Sequence, residues 1–499
     1  MAAAADSSGA QLRSSAIGLW DVVFQSITYM APGVGLVFSI GIGINFAGEV
    51  LPLAVAIGLL ACTLTAVAIG QCAKYVPSAG GIYTYAAKGL SPSFGFYIGW
   101  LYVGFAAFLP VFLFTLNGYL IDLTLQQQHW PGESWSKWWI WTILTIIVVF
   151  FLTYFDVRIS GKAGIILGIL EIAIFVALSA WMIVENSSYN SLSYFNPSNS
   201  LDGTKGLFIG AVYGILAFIG FEAAAALGEE ARDPRRTVPR GVIYSCVSIG
   251  IYYIFCCYAW NVGAGATGIV AHYNDNGFNS WVPFAKEFWG SAWILVFLAL
   301  INSNIACASA AVNNAGRVLF NMGRIGALPS VVGRVHPHHR TPYVGVIVTL
   351  ILSTIVSFLS SWKFGADFAY AVNGTMFTVL AIVIYMVACA ACIGYFQKEG
   401  REHRNVFLHI VIPLAGIAVF IPAMYAQYFS FDSLFKYVGV YPFSWGLIGA
   451  VIWLVIGVVI TLWMRATHAD ALARATAAFG GESEALAHDG QVESMSLGH

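Results

Sequence analysis

The sequence predicts an all-α integral membrane protein with twelve transmembrane helices, one polytopic domain rather than several soluble ones. Three observations carry that prediction. The chain is 59% hydrophobic and only 9% charged, with a mean hydropathy of +0.77, whereas soluble domains carry about a quarter charged residues. Apolar runs close to the ~20 residues that cross a bilayer as a helix recur along its whole length. Those runs are continuous rather than alternating, which argues against a membrane barrel.

The net charge of −1 says little, but the placement of the charges says more. Of the 23 Lys and Arg residues, eighteen fall on one predicted face, among them Arg13, Lys74, Arg158, Lys162, Arg235 and Arg401. The other face holds Lys137, Lys205, Lys286, Lys363 and Lys436. By the positive-inside bias both termini are expected in the cytoplasm, with the chain in the plasma membrane and an even number of spans. The eight cysteines lie in or beside apolar runs and are expected as reduced core thiols, Cys389-Ala-Ala-Cys392 included. Residues 1–16 read as a polar cytoplasmic tail, with no cleavable signal expected.

Span one, Ile17 to Ile44, is long for a straight crossing and carries Tyr29-Met30-Ala31-Pro32-Gly33-Val34-Gly35 near its middle. Pro32 removes a helix hydrogen bond and crowds the turn before it, while Gly33 and Gly35 relax the backbone just after. A break is expected here, a packed proline kink being the alternative. A half-helix starting after Pro32 turns free N–H groups into the membrane, a seat for a carboxylate. Span two, Leu51 to Cys72, ends at Lys74, and the small-residue stretch Val76 to Tyr85 follows. Span three, Phe94 to Leu123, offers Tyr97, Trp100 and Tyr102 as pocket candidates, or as packing and interface anchors. Span four is Trp138 to Phe155. Span five, Ala163 to Val184, contains Glu171, which lies ~13 Å along the helix from Lys162 at 1.5 Å per residue, near mid-bilayer.

The polar stretch Glu185 to Lys205 leads into span six, where Gly220 and Glu222 interrupt an apolar run that begins at Leu207. A carboxylate at bilayer depth costs about 3 kcal/mol or more, so Glu222 is a site candidate from its position alone. Gly220 weakens the helix beside it, and an interruption over residues 217–222 is expected. The alternative is a continuous helix in which Gly220 packs a neighbour and Glu222 is hydrogen-bonded across helices. Span seven is Val242 to Val262, and the loop Ala264 to Gly290 ends with Trp281 and Trp289 suited to an interface. Span eight, Trp293 to Phe320, carries Asn302-Ser303-Asn304 and Asn313-Asn314. These side chains either bond neighbouring helices or coordinate substrate, with Ser303 and Asn304 as the candidates. His336, His338 and His339 read as a solvated basic loop rather than a metal site. Spans nine (Val344 to Leu359) and ten (Phe368 to Cys392) complete a ten-helix core. Spans eleven (Val406 to Ala426) and twelve (Phe443 to Trp463) carry no candidate site residues, and the tail 466–499 reads as disordered.

Three stretches carry a family resemblance: Phe218-Ile219-Gly220-Phe221-Glu222 with the acidic Glu229-Glu230 and the basic Pro234 to Arg240; the run Pro77 to Tyr85; and Arg317 to Pro329 with Val335-His336-Pro337. Together they resemble the amino acid–polyamine–organocation transporters over roughly residues 18–463. The resemblance implies a LeuT-like fold: two inverted five-helix repeats, 17–184 and 206–392, with broken helices one and six, and an additional pair over 406–465. Interrupted helices at matching positions place a site at the repeat interface. In several amino acid permeases a lysine at the place of Glu171 resembles a built-in cation; this chain departs from that pattern.

The expected function is secondary active transport of an amino acid by alternating access. The substrate carboxylate would meet the N–H groups around Ala31, Gly33, Val34 and Gly35, and its ammonium the carbonyls near Thr28, Tyr29 and Ala217. Phe218, Gly220, Phe221, Tyr97 and Ser303 would shape the pocket. Glu171, Glu222 and Asn304 are the coupling candidates, with proton symport or exchange resting on the two acids. An amine, polyamine or cationic amino acid carrier is the alternative, since buried acids also suit a cation. No enzyme activity, cofactor, metal or nucleic-acid partner is expected, because neither grouped nucleophiles and ligands nor a nucleotide-binding loop occurs.

Overall fold

The computed structural model describes residues 17–78, 80–130, 134–155, 161–228, 231–276, 279–324, 328–336, 341–429 and 444–467. The two predicted tails lie outside the described residues, except Ala466 and Thr467, as do Arg13, Arg158, Glu229, Glu230, His338, His339 and Lys436. Every described element is helical, apart from one isolated bridge pairing Ile17 with Ala231.

The principal helices are α1 (Leu19–Met30), α2 (Pro32–Val34), α3 (Leu51–Tyr75), α4 (Pro92–Gln127), α5 (Trp138–Tyr154), α6 (Gly161–Glu185) and α7 (Gly203–Phe218). They are followed by α8 (Pro234–Ala264), α9 (Trp293–Arg324), α10 (Tyr343–Phe364), α11 (Ala366–Gln397), α12 (Ile412–Phe429) and α13 (Ser444–Thr467). Among the described residues nine helical stretches are long and apolar enough to cross a membrane, one bent pair makes a further candidate, and two shorter apolar helices occur. Local chemistry explains several starts. Asp21 accepts the Gly18 N–H at 2.8 Å, Ser91 accepts the Phe94 N–H at 3.3 Å, and prolines stand in the first turns of α3, α4 and α8.

Two stretches outside the expected spans are helical. The basic segment after the sixth span is already helical from Pro234, because that proline's fixed φ suits a first helical residue and Arg235, Arg236 and Arg240 stay on the surface. The small-residue stretch before span three contains a helix, Ile82–Gly89, which starts once Gly81 has turned the chain at φ 51°. The outer loop Ala264 to Gly290 likewise holds helices Ile269–Asn276 and Trp281–Trp289.

Packing places the site. α3 lies along α7 and α8, and α4 lies along α9 and α11. Between these groups runs α1, which contacts α6, α8 and α9 and is buried at Val22, Val23, Ser26, Ile27, Tyr29 and Met30. The lipid-compatible surface is on the outer helices, where Phe151 of α5, Leu170 of α6 and Val459 of α13 are more than half exposed. Glu171 follows Leu170 directly, yet it is only 3% exposed, so α6 turns its carboxylate inward while Ile166, Ile169 and Leu170 face outward.

Candidate functional site

The first span stops at Met30. Ala31 takes φ 49°, ψ 74°, a left-handed conformation unfavourable for alanine, and its N–H bonds the Thr28 carbonyl at 3.2 Å. The chain resumes at Pro32, bent by 41°, and continues through Ile40 with wide π turns from Gly35. Pro32 has no N–H, so the first donors of the new helix are Gly33 and Val34. The Gly33 N–H donates to Glu171 Oε1 at 2.8 Å and the Val34 N–H to Ser303 Oγ at 3.3 Å, while the Gly35 N–H bonds the Ala31 carbonyl at 2.7 Å. The second oxygen of Glu171 accepts from the Asn302 amide at 3.0 Å. Glu171 therefore bridges α6, α2 and α9.

The sixth span loses its α-helical ladder four residues before Glu222. α7 ends at Phe218, Gly220 stands at φ 131°, and Phe221–Leu227 winds as a 3-10 helix. A Cβ on Gly220 would lie 2.9 Å from the Met30 nitrogen and from the Tyr29 carbonyl carbon, so the two interruptions press directly on each other. Glu222 Oε2 accepts from the Gly220 N–H at 2.9 Å and from the Tyr385 hydroxyl of α11 at 2.5 Å. Its Oε1 is buried with no hydrogen-bond partner among the described residues. Beside it, the Asn314 amide donates to the Tyr102 hydroxyl at 3.2 Å and to the Tyr29 hydroxyl at 3.4 Å.

Carbonyls on either side of the two interruptions are met by side chains of α8 and α9. The Cys307 thiol donates to the Tyr29 carbonyl at 3.0 Å and the Tyr252 hydroxyl to the Pro32 carbonyl at 3.5 Å. The Tyr253 hydroxyl is 3.3 Å from the Met30 carbonyl and 3.2 Å from the Ala217 carbonyl. One hydroxyl proton shared by two carbonyls ties the first span to the sixth. Gly35 makes room for it, since a Cβ there would lie 2.3 Å from the Tyr253 oxygen. Tyr253→Phe is expected to lower stability by about 1–3 kcal/mol, because it leaves two buried carbonyls without that donor. Chemical denaturation of the purified variant checks the loss, and an unchanged midpoint would show that Tyr253 ties nothing together.

The structure thus gathers Thr28, Tyr29, Ala31, Gly33, Val34, Gly35, Ala217, Phe218, Gly220, Phe221, Ser303, Glu171 and Glu222 around the two breaks. The Phe218 ring packs edge-on against Tyr253 at 5.5 Å, and Phe221 lies 5.2 Å from Tyr385. Tyr97 is not part of this cluster. It packs beside Gly457 of α13, where Trp100 stacks on Trp453 at 4.6 Å, and it is Tyr102 that turns inward. Asn304 bonds the Leu300 carbonyl of its own helix at 3.2 Å, leaving its oxygen unpartnered; its neighbours Asn302 and Ser303 make the contacts to Glu171 and Val34. Sequence reasoning missed Asn302, Cys307, Asn314, Tyr252, Tyr253 and Tyr385 as site residues. Only the paired asparagines on an apolar helix signalled any of them. A cavity of about 60 Å³ opens beside Glu171, bordered by Thr28, Pro32, Leu167, Gly168, Asn302 and Ser303. No group of three or more His, Cys, Asp or Glu side chains able to hold a metal occurs among the described residues.

Comparison with known proteins shows the family and the fold. A family model described as Amino acid permease matches residues 21–473. The branched-chain amino acid permease BcaP of Bacillus subtilis is 26% identical over 404 residues, spanning 77% of this chain and 82% of the relative. The low-affinity putrescine importer PlaP of Escherichia coli K12 is 24% identical over 428 residues, spanning 82% and 88%. Among solved structures, MhsT in complex with L-phenylalanine aligns at a TM-score of 0.57 and 15% identity, over 83% of this chain and all of that one, a likeness of fold.

Proposed function

We propose, from the premise that this chain belongs to the amino acid permease family, that it is a secondary active transporter moving an amino acid across the plasma membrane by alternating access. The chain is a multi-pass membrane protein of LeuT-like fold. The reading takes the bent pair and the two shorter apolar helices as crossings, which makes twelve. It arranges residues 17–184 and 206–392 as inverted repeats, with 406–465 added and both termini in the cytoplasm.

The observation that carries this reading is the contact between the two interruptions, Gly220 against Tyr29 and Met30. That contact brings the donors of Gly33 and Val34 into one junction with the carbonyls of Thr28, Tyr29 and Ala217. Such a junction offers opposite polarities to the two ends of a zwitterion, with Phe218 and Phe221 bounding its side chain. In the state described the Thr28 carbonyl accepts from the Ala31 N–H and the other groups are held by the protein's own side chains, so substrate exchanges with them. Glu171 and Glu222 are the groups that would link transport to protons. An amine or diamine is the second reading. It is favoured by a specific feature: neither buried acid faces a Lys or Arg among the described residues, which leaves two anions for a cationic solute.

Uptake into proteoliposomes tests both readings. Labelled L-leucine, L-ornithine and putrescine are offered with and without an inward proton gradient, and accumulation stimulated by the gradient is expected for at least one. Glu171→Gln is expected to lose the stimulation. A variant that still responds fully to the gradient would remove Glu171 from coupling, and uptake of none of the three would remove the assignment.

A further inference from the structure

We propose that Glu171 is a tethered competitor for the substrate carboxylate, and that it decides between amino acids, which must displace it, and their decarboxylated amines, which need not. The proposal rests on the transporter reading and goes beyond it. The first turn after Pro32 has no spare donor: Gly33 is taken by Glu171 Oε1, Val34 by Ser303 Oγ and Gly35 by the Ala31 carbonyl. An incoming carboxylate reaches this turn only if one of these acceptors leaves. Glu171 is the acceptor of like chemistry, and Asn302 orients its second oxygen at 3.0 Å. Gly33 admits it, since a Cβ there would sit 3.2 Å from Glu171 Oε1 and 2.9 Å from the Phe175 ring.

There is also somewhere for it to go. The cavity of about 60 Å³ borders Glu171 itself, several times the ~10–15 Å³ that one water needs. Gly168, nearly one turn earlier on α6, would have nothing within 4 Å of an added Cβ, so the space is left open on the side of the helix that carries the acid. At the other break the position is reversed. Glu222 Oε1 is buried with no hydrogen-bond partner among the described residues, so an ammonium group finds there an acceptor that no protein donor occupies. An amine therefore meets an acceptor without a donor, whereas an amino acid meets a competitor. The titratable groups that face Glu171 are the Tyr252 and Tyr253 hydroxyls of α8 and the Cys307 thiol of α9; no charged group from α1, α2 or the Trp281–Trp289 helix acts on it among the described residues. Protonation of Glu171 weakens it as an acceptor for Gly33 and so favours the amino acid.

Competition binding on the purified full-length protein tests this with two matched pairs, L-leucine against isopentylamine and L-ornithine against putrescine, at mildly acid and mildly alkaline pH. In the wild type, the amino acids are expected to bind more tightly on acidification. Glu171→Gln replaces a charge-assisted acceptor by a neutral one, worth roughly tenfold in affinity. It is expected to bind the amino acid about tenfold more tightly at alkaline pH and to lose the pH response, with no gain for the amine. Glu171→Asp, one methylene shorter but still ionisable, is expected to gain affinity while keeping the pH response. A purely structural cap at Gly33 would move both ligands of a pair together. Amino acid affinity unchanged or lowered in both variants, with the wild type still binding, overturns the competitor role and leaves the transporter assignment standing. Failure of the wild type to bind either member of both pairs overturns the two together.

Discussion

Gly220→Ala is expected to abolish uptake and to lower the stability of the purified protein by about 2–6 kcal/mol, from two independent costs. The first is conformational: the residue stands at φ 131°, a region L side chains rarely adopt, and holding alanine there costs roughly 1–3 kcal/mol. The second is steric. The new Cβ would lie 2.7 Å from Tyr29 Cδ1 and 2.9 Å from the Met30 nitrogen and the Tyr29 carbonyl carbon, and forcing extra atoms into a packed interior costs about 1–3 kcal/mol. The Tyr29 ring can turn aside; the backbone of the first span cannot move without carrying Ala31 and the donors of Gly33 and Val34 with it. Stability and uptake therefore fall together. Gly268→Ala is the control: it also has a positive φ, 75°, but nothing lies within 4 Å of its added Cβ, so only the strain cost applies. Near-wild-type melting and uptake for Gly220→Ala would mean that the two interruptions do not bear on each other.

How much of this was legible in the sequence depends on whether a residue type conflicts with its surroundings. Pro32 in a membrane helix, Gly220 two residues before an acid, and the acids Glu171 and Glu222 all conflict with an unbroken helix in lipid, so their positions alone point to a cavity or a protein interior. Tyr252, Tyr253 and Cys307 conflict with nothing. They sit in apolar runs where tyrosine and cysteine are ordinary packing residues, and only the tertiary placement of α8 and α9 against the ends of α1 and α7 turns them into partners for orphan carbonyls. The same limit explains Tyr97 and Tyr102. They are five residues apart on α4 and thus face different sides of the helix, and nothing in their types says which side meets the site. On α9 the triplet Asn302-Ser303-Asn304 was legible as a polar cluster, but a rotation of about 100° per residue decides that the first two face Glu171 and Val34. Wherever pairing is made through the backbone, the sequence pattern carries no record of which side chain completes it.

Glu222→Leu is expected to be the more damaging of two substitutions at the second acid, and the difference separates support of the fold from contact with substrate. Leucine takes the carboxylate away from the Tyr385 hydroxyl and the Gly220 N–H, both buried, and each donor left without an acceptor costs about 1–3 kcal/mol. A loss of about 2–6 kcal/mol follows, together with loss of uptake. Glu222→Gln keeps one oxygen able to accept from both donors, so those bonds survive. Its amide nitrogen replaces Oε1, the buried atom that has no protein partner. The glutamine variant is therefore expected to unfold close to the wild type, yet to bind cationic or zwitterionic substrates about 10–100-fold more weakly, since a hydrogen bond to a charged group is worth roughly 1.5–3 kcal/mol. Denaturation and competition binding on the two variants read these effects separately. A glutamine variant with wild-type affinity would assign Glu222 to holding Gly220 and α11 in place, and the ammonium would then rest on backbone carbonyls alone.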